Sequence, residues 1–169
     1  MKTDIDSLAV SIVIAMQGRT LATAESITGG QLGSIITSIP GASQIFRGGV
    51  IAYATDLKSS LLGVSNSVLA AGGAVQAQVA LEMALGVATK LEADFGLAVT
   101  GVAGPTSQDG HLPGTVFVAC VVRDAQGSLI DSAVDELHLF PEVDDPRQAR
   151  AQVREETVAA ALELLLSML

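Results

Sequence analysis

A serine set between a short apolar run and a pair of glycines is the residue of this sequence best placed for chemistry. In Thr23-Ala-Glu-Ser-Ile-Thr-Gly-Gly30, Ser26 follows Leu21-Ala-Thr-Ala-Glu25, which reads as a short buried strand. Ser26 opens a helix that must end before Pro40-Gly41. A hydroxyl at a strand-to-helix junction is exposed and surrounded by backbone N–H groups that lack helical partners. The N–H groups of Thr28, Gly29 and Gly30 are then candidates to stabilise the oxyanion formed when a hydroxyl attacks a carbonyl. The same residues fit an N-cap serine followed by a glycine turn, and spacing alone leaves both readings open.

A serine nucleophile needs a base. His111 lies in a polar loop and His138 on a strand, and neither has a triad context. Lys58 is the alternative, if desolvation lowers its pKa. Tyr53, the only tyrosine, stands five residues earlier at a predicted strand end. Each also has an ordinary reading: a solvated helix lysine, and a packing tyrosine with a wet hydroxyl. Cys120 falls on the apolar face of a strand and reads as core. No Cys/His cluster has metal-ligand spacing, so no metal is expected. Gly101-Val-Ala-Gly104 lacks the glycine patterns of dinucleotide and triphosphate loops, and no organic cofactor is expected either.

The elements that must position these residues follow from periodicity. Ile5, Leu8, Ala9, Ile12, Val13 and Met16 recur at helical spacing and predict a helix over 4–17, stopped at Gly18. Phe46 to Ala54 reads as a second strand, Asp56 to Leu62 as a short helix, and Gln76 to Leu91 as a longer one. Phe95 to Thr100 is a third strand. Gly114 to Arg123 alternates, with Val116, Val118, Cys120 and Val122 on one side. Asp124-Ala-Gln-Gly127 makes a hairpin turn, and Ser128 to Phe140 is the return strand. Pro146 starts a final helix with Val153, Thr157, Ala160, Ala161 and Leu164 as its buried stripe. The expected fold is a three-layer α/β/α domain on a mixed, mostly parallel sheet of about five strands, spanning 1–169.

Composition bounds the partners. The 169 residues include 18 acidic and 9 basic ones, a formal charge of −9, with no basic cluster. A nucleic-acid partner is disfavoured, because phosphate neutralisation needs grouped Lys and Arg. One local arginine or helix N-terminus still suffices for an anionic small molecule. A single cysteine excludes an internal disulfide framework and fits a reducing cytoplasm. The N-terminal Met1-Lys-Thr-Asp-Ile-Asp6 does not read as a signal sequence. Residues 59–81 carry no charge, but their glycines, Asn66 and two glutamines read as helix, turn, helix and not as a membrane span.

Seven ordered segments together carry a family likeness. They are Ala24-Glu-Ser-Ile-Thr-Gly-Gly30, Pro40-Gly-Ala-Ser43, Gly48-Gly-Val-Ile-Ala-Tyr53, Lys58-Ser-Ser-Leu-Leu-Gly-Val64, Gly73-Ala-Val75, Ala98-Val-Thr-Gly-Val-Ala-Gly-Pro105 and Gly114-Thr-Val116. From about residue 5 to 167 the chain resembles the CinA C-terminal domain, also called the PncC family. The companion molybdopterin-binding-like domain of longer members is absent from the sequence, so the chain looks like a stand-alone form.

The resemblance implies hydrolysis of the carboxamide of nicotinamide mononucleotide to nicotinate mononucleotide and ammonia. It implies Ser26 as nucleophile, with Tyr53 and Lys58 beside it and no cofactor. Gly41, Ser43, Thr100 and Gly101 stand in its matched segments as substrate-binding positions, and a homodimer is the family's expectation. The family's last helix carries an arginine in a G-D-R-x-x-V-R pattern. Arg150-Ala-Gln-Val-Arg154 fits its latter part, while Gln148-Ala149 replaces Gly-Asp and Arg147 competes for the role of phosphate ligand. Two further departures are Ile27, where many members carry cysteine, and Leu112-Pro-Gly114, where Pro-Val-Gly is usual. The alternative function is a non-catalytic nucleotide-binding module of the same fold.

Overall fold

A computed structural model describes residues 4–169. Met1 to Thr3, on which the reading of the N-terminus begins, lie outside the described residues. In chain order the elements are α1 (Ile5–Ala15), β1 (Leu21–Glu25), α2 (Gln31–Thr37), a 3-10 turn at Ala42–Gln44 and β2 (Phe46–Ile51). There follow α3 (Thr55–Leu62), α4 (Asn66–Gly72), α5 (Ala77–Lys90), β3 (Phe95–Gly101), β4 (Thr115–Arg123), β5 (Leu129–His138) and α6 (Pro146–Ser167).

The strands form one mixed sheet in the order β2-β1-β3-β4-β5. β2, β1 and β3 run parallel as its core, β4 pairs antiparallel with β3, and β5 pairs antiparallel with β4. The parallel strands β1 and β3 are buried on both faces, as helices on each side of a parallel sheet require. Side-chain alternation deals their residues to two separate cores. Leu21, Phe95, Leu97, Val99, Val116, Val118 and Cys120 pack with α1, α2 and α6. Ala22, Ala24, Ala98, Phe117, Ala119 and Val121 pack with α5 and its neighbours. The second face of β4 is thus as dry as the first, although the sequence shows its alternation more clearly on one side.

Most residues of β1 and β3 facing α5 are small, for a reason visible at Gly96. A Cβ there would stand 2.0 Å from the Ala84 carbonyl oxygen, so α5 lies directly on the backbone of β3. Two departures from the sequence reading lie between Phe46 and Leu91. β2 stops at Ile51, because Ala54 is the extended N-cap that starts α3. The uncharged stretch after Lys58 holds an additional short helix, α4, between α3 and α5. Among the described residues no helix is long and apolar enough to cross a membrane.

α6 begins where the side chain of Asp145 accepts hydrogen bonds from Arg147 N and Gln148 N at 3.0 and 2.9 Å, with Pro146 at the first helical position. That start sets the phase of the helix. Arg150 and Arg154, four residues apart, then share one face, towards the carboxyl ends of β1 and β3.

Candidate active site

Ligands of open parallel sheets bind outside the carboxyl ends of the strands, where the chain turns to opposite faces. Ser26, immediately after β1, stands at that edge between its two neighbours. Its own N–H donates to Val99 O of β3 at 3.1 Å, and Ala52 N, just after β2, donates to Glu25 O at 2.9 Å. The serine backbone is therefore an extension of the sheet. A cavity of about 250 Å³ opens here, lined among others by Ser26, Ile27, Tyr53, Ala74, Thr100 and Arg150.

Lys58 enters from the first turn of α3 and is 1% exposed. Its Nζ lies 3.0 Å from Ser26 Oγ, and it donates to Ala52 O at 2.8 Å and Tyr53 O at 3.2 Å. A neutral amine has two N–H bonds and one lone pair. With the carbonyls taking the two donors, the lone pair is left for the serine hydroxyl. Burial lowers the pKa of Lys58 from 10.5 to about 8, against the opposing pull of Asp109 and Asp56, whose charges favour the ammonium. Among the described residues no acidic side chain lies within ion-pair distance of it.

Tyr53 reaches Lys58 through its backbone and not through its hydroxyl. Its carbonyl holds Lys58, but its hydroxyl accepts from Arg150 Nη2 at 2.8 Å, and the ring is largely exposed. Arg150 also donates to Gly104 O at 2.7 Å, so it spans the cavity from the strand-β3 loop to Tyr53. Thr100 is buried at the end of β3, where its hydroxyl donates to Ala74 O at 2.9 Å, and Gly101 lines the cavity beside it.

The turn after Ser26 corrects the expectation for the oxyanion donors. Gly29 N donates to Ser26 O at 3.1 Å, and Gly30 N donates to Glu25 Oε1 at 3.1 Å. Those two amides are occupied. Among the described residues no hydrogen bond engages the N–H groups of Ile27 and Thr28, which become the available donors. Nor does Ser26 cap the helix. Gly30, at a φ of 101° that suits glycine, is the N-cap of α2, and the capping acceptor is the Glu25 carboxylate. Its two oxygens accept from Thr28 Oγ1, Gly30 N, Leu32 N and Gly33 N at 2.6 to 3.1 Å.

Three residues expected near the substrate stand elsewhere. Gly41 and Ser43 line a separate depression with Thr37, Ile39 and Phe46, because the 3-10 turn before β2 lies at the opposite, amino-terminal end of that strand. Arg147 is exposed in the first turn of α6 and is not among the residues lining the cavity. Of the two arginines in contention for the cavity, the helical phase selects Arg150.

Sequence reasoning missed Glu25 and Asp109, and named Arg154 only as part of the arginine pattern of the last helix. An acid ending a run otherwise made of apolar residues and threonine was a usable signal, since a buried carboxylate must find donors. Arg154 donates to Ile27 O at 3.2 Å and Thr28 O at 2.8 Å, and Asp109 accepts from Ala74 N at 2.9 Å. Those contacts join segments remote in the chain, and nothing local announces them. Among the described residues no three His, Cys, Asp or Glu side chains come together as a metal site would need.

Comparisons with known proteins place the chain in a family. Residues 5–169 match the family model of the CinA C-terminal domain. A CinA-like protein of Synechococcus elongatus is 53% identical over 118 residues, covering 68% of this chain and 28% of that protein. A putative competence-damage inducible protein of Bacillus velezensis is 38% identical over 152 residues, covering 90% of this chain and 33% of that protein. The chain thus spans about a third or less of the length of these relatives. Among solved structures, the competence/damage inducible protein CihA of Agrobacterium tumefaciens superposes with a TM-score of 0.84 at 34% identity, covering 99% of this chain and 96% of that one. A CinA superfamily protein of Escherichia coli does so at 0.81 and 29%, covering 98% and 91%. A family-model match over nearly the whole chain shows that it belongs to the CinA C-terminal domain family.

Proposed function

We propose that the chain is a serine amidohydrolase acting on the carboxamide of nicotinamide mononucleotide. The observation that supports it most is the pairing of a buried amine of lowered pKa with a hydroxyl on the wall of a cavity. The substrate itself comes from the family resemblance.

In this reading neutral Lys58 takes the proton of Ser26 Oγ as the oxygen bonds to the amide carbon. The carbonyl electrons move to an oxyanion facing the N–H groups of Ile27 and Thr28. Collapse breaks the C–N bond, and the Lys58 ammonium returns the proton to nitrogen, which leaves as ammonia. Water then adds to the acyl-enzyme with Lys58 again as base, and nicotinate mononucleotide departs as Ser26 is restored. Arg150, the cation lining the cavity, pairs with the phosphate, which displaces its bonds to Gly104 and Tyr53. Thr100 and Gly101 shape the wall on which the ring rests.

The test is ammonia release from purified protein incubated with nicotinamide mononucleotide. Stoichiometric appearance of nicotinate mononucleotide supports the reading. Tight binding without turnover would replace it with a nucleotide-binding module of the same fold.

A further inference from the structure

Arg154 lies one helical turn beyond Arg150 but does not line the cavity. Its guanidinium faces the back of the Ser26–Gly30 turn, donating to Ile27 O through Nε and to Thr28 O through Nη2. Two successive carbonyls match the fixed fork of a guanidinium, and no other side chain offers that geometry with a permanent charge. From the sheet side the Glu25 carboxylate holds Thr28 Oγ1 and the N–H groups of Gly30, Leu32 and Gly33. The turn is therefore gripped twice, its carbonyls by a cation and its later amides by an anion.

The consequence falls directly on the Thr28 amide, and on the Ile27 amide only through Gly29, whose N–H shares a peptide plane with Thr28 O and donates to Ser26 O. Ile27 O and Thr28 N–H belong to one trans peptide plane and point in opposite directions. A bond from Arg154 to Ile27 O thus fixes the direction of the Thr28 N–H. Rotation of that peptide would exchange a donor for a carbonyl oxygen, which repels a developing oxyanion.

We propose that Arg154 is a positioning residue that locks the nucleophile turn with the Ile27 and Thr28 amides presented to the reacting carbonyl, and that it does not bind the substrate phosphate. The inference rests on the serine amidohydrolase reading, so its test needs a readout independent of the natural substrate.

The experiment compares wild type, R154A, R154K and R150A on nicotinamide mononucleotide and on nicotinamide riboside, which lacks the phosphate. R154A is expected to lower kcat about 10-fold or more on both compounds, with KM changed less than about threefold, since lost oxyanion donors act on the transition state. R154K, with one compact charge for two carbonyls, should fall between. R150A should instead change the preference between the two compounds. Circular dichroism and the Tm establish that each variant is folded, and R154K carries the test if R154A is not.

The second readout is modification by a fluorophosphonate. Ser26 Oγ bonds to phosphorus, its proton passes to Lys58 and fluoride leaves. The rate at Ser26, followed by mass spectrometry, should drop in R154A by a factor similar to kcat. Selective loss of affinity for the phosphorylated compound in R154A, or unchanged kcat and labelling, overturns the proposal. If wild type labels at Ser26 but releases no ammonia, the amidase reading fails while the labelling rates still decide the role of Arg154. Absence of labelling in wild type overturns both.

Discussion

Lys58 Nζ and Ser26 Oγ stand 3.0 Å apart although 32 residues separate them in the chain. Both are buried, and two backbone carbonyls consume the donors of the amine. With a pKa of about 8, about a tenth of Lys58 is neutral at pH 7, against a few parts in ten thousand at 10.5. That gain of several hundredfold is what a lysine base for a serine hydroxyl requires.

Replacing Ser26 by Ala should abolish ammonia release by about 10³-fold or more while leaving the circular dichroism spectrum unchanged. The side chain removed is small and lies on the cavity wall, so no core contact is lost. Near-normal turnover by a folded S26A protein would end the nucleophile assignment.

The pH–rate profile should rise with pH through a limb near 8, because only neutral Lys58 accepts a proton. Asp109 stabilises the ammonium and holds the pKa up, so D109N should move the limb to lower pH. Asn at this position can still accept from Ala74 N, which keeps the loop in place. A limb that stays put or moves upward in D109N would contradict this electrostatic account.

Lys58→Arg should be nearly inactive although it keeps the charge, because guanidinium does not lose its proton in this range. Lys58→Met should be inactive too, and its stability carries information. The folded-state pKa of Lys58 lies below the unfolded value, so the wild-type fold bears a cost for the charged amine below about pH 8. That cost disappears as pH rises from about 8 to 10.5. Across that window wild type should gain stability relative to K58M by about 3 kcal/mol. Denaturant midpoints at both ends of the window measure it, and parallel pH dependences would show that the amine is not desolvated as described.

Arg150→Ala should mainly raise KM for nicotinamide mononucleotide and reduce its advantage over free nicotinamide. Arg147→Ala should leave both nearly unchanged, because that side chain is exposed and outside the cavity lining. Steady-state kinetics on the two compounds decide it; an effect at Arg147 and none at Arg150 would reverse the assignment.

Cys120 should resist alkylation in the native protein and leave activity untouched. It is fully buried on β4, and burial, helped by Asp131, pushes its thiol up to about 12. Rapid inactivation by iodoacetamide, mapped to Cys120, would contradict both its core role and the serine mechanism.

The residue pattern by itself determined the α/β class, the strand positions and the placing of Ser26 after β1. Those features rest on local periodicity and on turn chemistry, which act over a few residues. Ser26, Tyr53 and Lys58 were legible as a group through the ordered family segments, and the buried acid Glu25 left a trace that went unused. The tertiary structure alone decided which amides stay free around Ser26, that Tyr53 serves Lys58 through its carbonyl and Arg150 through its hydroxyl, and that Gly41 and Ser43 lie at another cavity. It also separated the positions and contacts of Arg147, Arg150 and Arg154. Four residues along a helix return to the same face, but what that face meets depends on how α6 docks on the sheet. That docking arises from contacts between segments more than a hundred residues apart, such as Arg154 with Thr28, for which a linear sequence carries no local signal.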